Sequence, residues 1–117
     1  MTESNREFFR LNYPRNGRPK LVVRGKLYDV AEVSEYGLRV TLPQTELEDW
    51  AVEMTVCGRV EFSDGGTFDV VGQIVRHDDK NGENQCAIRL SDGIPYARIV
   101  AEQRFMLQVF PASRKPK

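Results

Sequence analysis

From residue 20 onward, apolar and polar positions alternate with a period of two, the mark of strands buried on one face. Leu21-Val22-Val23 and Leu27 to Val33 flank Arg24-Gly25-Lys26, a short turn between two strands. Gly37-Leu38-Arg39-Val40-Thr41 predicts a third strand. Residues 42–52 hold Pro43, the acids Glu46, Glu48 and Asp49, and Trp50, and read as a long loop with room for one helical turn. The strongest strand signal is Met54 to Phe62, where Met54, Val56, Val60 and Phe62 alternate with Thr55, Cys57, Arg59 and Glu61, and Gly58 falls on the apolar face. Asp64-Gly65-Gly66 turns the chain into Thr67–His77, whose apolar face is Phe68, Val70 and Ile74. A second turn over residues 78–82 leads to Gln85–Leu90, with Cys86, Ile88 and Leu90 on one face. Six alternating strands in succession predict a mainly β fold, a six-stranded antiparallel sheet closed into a barrel.

The period changes only near the C-terminus. Between Pro95 and Pro111, Tyr96, Ile99, Val100, Met106, Leu107 and Phe110 recur at helical spacing, and Arg98 and Glu102 form an i, i+4 pair. This helix is expected to pack on the barrel or to cover its open end, with Phe105 and Val109 off its apolar stripe. At the other end, Asn12, Pro14, Asn16, Gly17 and Pro19 predict that residues 1–19 form a flexible arm without regular structure. The organisation is therefore an arm over 1–19, one folded unit over 20–110 and a basic tail over 111–117.

At 117 residues and 13.4 kDa the chain has room for one core. Its net charge of zero hides an asymmetry. Residues 1–26 carry seven bases against two acids, residues 111–117 carry three bases and no acid, and the middle is left at net −8. The ends, not the body, are the parts expected to meet an anion. No apolar run approaches the roughly 20 residues of a membrane span, and the first residues lack signal-peptide character. Cys57 and Cys86 are too few for a disulfide framework and read as small buried hydrophobes of a protein in a reducing cytoplasm.

Enzyme chemistry finds little support. His77 is the single histidine, which excludes a His-based metal cluster or a two-histidine acid–base site. Asp78-Asp79 beside Asn81-Gly82 has the composition of a turn. No glycine-rich phosphate loop opens a helix, and no serine sits in a nucleophile elbow. The sequence predicts no catalytic residues, no metal and no cofactor.

Two short patterns remain. Arg6-Glu7-Phe8-Phe9-Arg10 sets two guanidinium groups four residues apart in the basic arm. Glu32-Val33-Ser34-Glu35-Tyr36-Gly37 ends the second strand, where period two puts Glu32 and Ser34 on one face and Gly37 suits a tight turn. An RxxxR pair, then about twenty residues, then acid-x-Ser-x-x-Gly on a six-stranded barrel with a C-terminal helix resembles the PilZ family from about Arg6 to Phe110.

The resemblance implies a PilZ-type barrel and a bacterial receptor for cyclic di-GMP, acting on motility, polysaccharide secretion or biofilm formation through a downstream protein partner. It implies that Arg6 and Arg10 grip phosphate and guanine as the arm closes over the barrel. Ser34 and Glu32 would accept hydrogen bonds from guanine N–H groups, and Gly37 would keep the turn small enough for a base to lie against the strand. Arginine suits this task because its planar fork meets a guanine edge or a phosphate with two parallel hydrogen bonds. Glu32 stands where the family carries Asp or Asn, and Asn5 where many members carry a further arginine. Two other roles compete: an adaptor that binds a protein through the helix or the acidic loop without nucleotide, and an OB-type nucleic-acid barrel. The second asks for a basic strand face, which the acidic middle does not supply.

Overall fold

The computed structural model describes residues 10–80 and 82–110. Seven strands occur among them: β1 (Arg10–Asn12), β2 (Lys20–Val23), β3 (Lys26–Ser34), β4 (Gly37–Thr41), β5 (Thr55–Glu61), β6 (Thr67–Lys80) and β7 (Glu83–Leu90). A single α-helix, α1 (Tyr96–Val109), follows, and short 3-10 turns cover Arg15–Gly17 and Gln44–Asp49. Every strand pairing is antiparallel, in the order β3-β2-β5-β6-β7-β4, and the β3–β4 pairing closes the ring. The six-stranded barrel expected from the alternation is therefore present. Leu21, Val30, Val33, Val40, Val60, Ile74 and Cys86 fill it and are fully shielded from water.

The seventh strand is new. The sequence reading leaves residues 1–19 without regular structure, whereas Arg10–Asn12 pairs with β3 as Arg10 with Ser34, Leu11 with Val33 and Asn12 with Glu32. Three residues are too few to show a period, but Leu11 buries its side chain, and that apolar contact fixes the register. β1 and β2 run along the same edge of β3, so the chain from 10 to 23 is in effect one strand interrupted by an excursion over Pro14–Arg18. Backbone bonds from Tyr13 N to Ala31 O and from Val30 N to Pro19 O pin the two ends of that excursion.

Two β-bulges decide what the barrel shows to solvent. Tyr28 and Val30 point inward, so strict alternation would send residues 32 and 34 inward as well. The β3–β4 register shifts between Val30 and Glu32, Ala31 is the extra residue, and Val33 turns inward while Glu32 and Ser34 turn out. The same happens on β6. Val70 and Ile74 are buried, the β6–β7 register shifts between Ile74 and Arg76, and Arg76 and Asp78 then face outward. A wall of charge on the barrel's outer surface results.

Helix α1 buries Ile99, Glu102 and Met106. The stripe read from sequence needs correcting: Tyr96 is 56% exposed and Leu107 37%, while Phe105, placed off the stripe, packs against the core. Val109 is exposed, as expected. The unforeseen member is Glu102, whose carboxylate accepts from Tyr13 Oη (2.9 Å), Ser63 N (2.9 Å) and Asp64 N (3.1 Å). Cys57 also departs from expectation, being exposed on the outer face of β5, whereas Cys86 is buried.

Candidate functional site

A shallow hollow of about 260 Å³ lies on the outer surface where β1, β3, β4, β6 and β7 meet. Its wall includes Arg10, Glu32, Ser34 and Gly37, together with Tyr36, Arg39, Arg76 and Arg89. Four of the five residues singled out by the sequence motifs are thus brought together. The fifth, Arg6, lies outside the described residues.

Strand register explains the gathering. Arg10 stands directly opposite Ser34 across β1–β3, and Glu32 is two residues back on the same face. Arg10 Nη1 approaches Glu32 Oε2 at 3.5 Å. Ser34 Oγ donates to Gly37 O at 3.4 Å, which leaves its lone pairs free to accept. Gly37 is not in the left-handed region, so the tight-turn argument for it fails. It matters for space instead, because a Cβ there would sit 3.2 Å from Ser34 Oγ.

Sequence motifs did not reveal Arg39, Arg76 and Arg89. Arg39 pairs laterally with Ala87, which pairs in turn with Arg76, so three strands place these residues in one row. The small Ala87 side chain lets the Arg39 guanidinium reach across β7 to the Asp78 carboxylate. Glu32 Oε1 lies 3.7 Å from Arg39 Nε, and Asp78 is also bound by Arg76 at 3.2 Å. Charges therefore alternate along the row: Arg10, Glu32, Arg39, Asp78, Arg76. Hydrogen bonding from Arg39 holds the Asp78 carboxyl below its ordinary value, against a smaller opposing effect of burial. Arg89, at the edge of the hollow, has no ion-pair partner among the described residues, and Tyr36 is 47% exposed beside it. The alternation on β7 put Arg89 on the outer face, but only the β4–β7 pairing joins it to Gly37.

The hollow offers arginine forks for an anion or a purine edge, paired with a hydroxyl and a carboxylate as acceptors. Among the described residues, no group of three metal-ligating side chains comes together, and no helix is long and apolar enough to cross a membrane.

Comparison with known proteins agrees with this architecture. The PilZ domain family model matches residues 4–105, and the chain belongs to that family. The fold is similar to the PilZ domain of YcgR from Escherichia coli, solved with c-di-GMP, at a TM-score of 0.61 and 13% identity, covering 92% of each chain. It is also similar to MotI/DgrA, the inhibitor of motility of Bacillus subtilis, at a TM-score of 0.65 and 9% identity. That match covers 93% of this chain but only 52% of MotI, so the chain spans about half of its length. No curated protein matches the sequence.

Proposed function

We propose that this chain is a cyclic di-GMP receptor, a binding protein and not an enzyme, that changes a protein partner's activity in motility, biofilm or exopolysaccharide control. The observation that carries the reading is the β1–β3 register, which sets Arg10 beside Ser34 and Glu32 over a hollow rimmed by further arginines. Arg6 and Arg10 supply the forks for phosphate and guanine, Ser34 and Glu32 accept from guanine N–H groups, and Gly37 leaves room beside the Ser34 hydroxyl. Membership of the PilZ family and the likeness to a domain solved with c-di-GMP support the ligand.

Isothermal titration calorimetry with cyclic di-GMP tests it. Arg6→Ala and Arg10→Ala should each weaken binding by about 2 kcal/mol, about thirtyfold, since one good bidentate contact to guanine contributes ~1–3 kcal/mol. No heat of binding in the wild-type protein, or full affinity in the double variant, would refute the assignment. A flat titration together with capture of a protein partner would instead support the adaptor role.

A further inference from the structure

At the opposite end of β3 from Ser34, where β2 turns into β3 and β5 begins, the barrel opens into a cleft of about 530 Å³. Its floor is apolar, with Tyr28, Trp50 and Val56 buried and Val23 and Met54 half-buried. One wall is the β2–β3 turn, with Arg24 and Lys26, and the other is the segment that precedes β5, with Glu46 and Asp49. The two walls therefore carry opposite charge. Lys26 and Glu46 meet across the cleft at 3.2 Å, but Arg24 and Asp49 have no ion-pair partner among the described residues.

Each wall also displays an apolar side chain to water. Leu27, beside the turn, is 62% exposed, and Val52, between Trp50 and Met54, is 52% exposed. Both are held in place by backbone geometry. The left-handed pair Arg24 and Gly25 fixes the turn that carries Leu27. Glu53 takes a φ of 78°, unfavourable for a residue with a Cβ, and two bonds secure it there. Its N–H donates to Ile74 O at 2.7 Å, and its carbonyl accepts from Gln73 Nε2 at 3.1 Å. Apolar side chains presented on fixed turns, beside unpaired charges, make a surface suited to being covered.

The charge pattern selects what covers it. A small anion would meet Arg24 but face Glu46 and Asp49, and a small cation would meet the reverse. The occupant must carry both charges in the opposite order. A second copy of the same cleft does so, because a two-fold axis exchanges the walls. We propose that this end of the barrel is a self-association face, where two copies of the chain pair about a two-fold axis. Arg24 of each copy meets Asp49 of the other, Leu27 of each packs on Val52 of the other, and the half-buried Val23 and Met54 are shielded. The face lies away from the hollow around Ser34, so the inference stands apart from the receptor reading.

Sedimentation velocity over a dilution series tests it, on the wild-type chain, Arg24→Glu, Asp49→Arg and an equimolar mixture of the two variants. Both side chains are exposed, so neither reversal disturbs the core. The wild-type chain should pass from monomer to dimer as concentration rises. Each variant alone sets like charges together twice in its own dimer, and should self-associate about tenfold more weakly or worse. Mixing gives every reversed residue an opposite charge to face, so the mixed dimer should form about as well as the wild-type one. A wild-type chain that stays monomeric up to millimolar concentration overturns the proposal and leaves the cleft to a different protein. Variants that associate like the wild type, or a mixture no stronger than its components, overturn it too. Dilution of the unmutated protein gives a second readout: amide resonances of residues 24–28 and 49–54 should move, and movement centred on another face would sink this pairing even if a dimer forms.

Discussion

Glu102 shows how much one side chain can organise. A fully buried carboxylate is tolerable only when its lone pairs are satisfied, and here a phenol and two backbone amides from separate parts of the chain do so. Burial and the adjacent carboxylate push the Tyr13 phenol far above its ordinary value, so it remains a donor. Glu102→Ala should destabilise the fold by about 3 kcal/mol, because three donors lose their acceptor; Tyr13→Phe, which removes one, should lose about 1.5 kcal/mol. Urea denaturation checks both. The cysteines give a second prediction at this scale. Burial pushes the Cys86 thiol up to about 12, whereas Cys57 is exposed, so a maleimide should label one thiol per native chain and two after unfolding. Glu102 could not be placed from sequence, whereas the alternation along β5 already set Cys57 with Thr55, Arg59 and Glu61 on the polar face. An acid at i+4 from an arginine has the pattern of a solvated pair, and only the β5–β6 turn arriving at α1 converts it into a buried acceptor.

Among the elements, strands with clean alternation were the legible ones. Val56 and Val60 on β5 and Cys86, Ile88 and Leu90 on β7 face inward as their period demands. Gly58, on the same inward row, is explained by a close approach: a Cβ there would lie 2.6 Å from the carbonyl oxygen of Val22 on β2. Gly58→Ala should push β2 and β5 apart at a cost of about 1–3 kcal/mol, measured as a lower denaturation midpoint with an unchanged slope. The turn between β2 and β3 was also readable, since Arg24 (φ 52°) and Gly25 (φ 81°) are both left-handed, as a two-residue hairpin loop of the primed type requires. β1 and the bulges were not. A three-residue strand has no period, and an extra residue is invisible until the partner strand shows which positions oppose each other.

For the molecule as a whole, net charge zero describes the surface poorly. The outer wall is a lattice of ion pairs: Arg10, Glu32, Arg39, Asp78 and Arg76 in one row, with Arg18, Arg15 and Glu83 beside it. Hydrogen bonding from Arg18 holds the Glu83 carboxyl below its ordinary 4.5, and that from Arg39 holds Asp78 below 3.8. Carboxyls depressed on folding stabilise the native state above their unfolded values and lose that contribution as pH falls through the native ones. Stability should therefore be level near neutrality and decline below about pH 4.5. In Glu83→Gln and Asp78→Asn the acid decline should be shallower, with lower stability at pH 7, as denaturation series across pH would show. The two sequence motifs were legible as residues, but the row that surrounds Arg10, Glu32, Ser34 and Gly37 depends on pairings among β4, β6 and β7 that no local pattern encodes. The supernumerary Ala31 has an evolutionary corollary. Deleting that one codon would join Val30 to Glu32 and restore strict alternation, with Val33 still inward and Glu32 and Ser34 still outward, so descendants of this chain can shed the bulge and keep this surface.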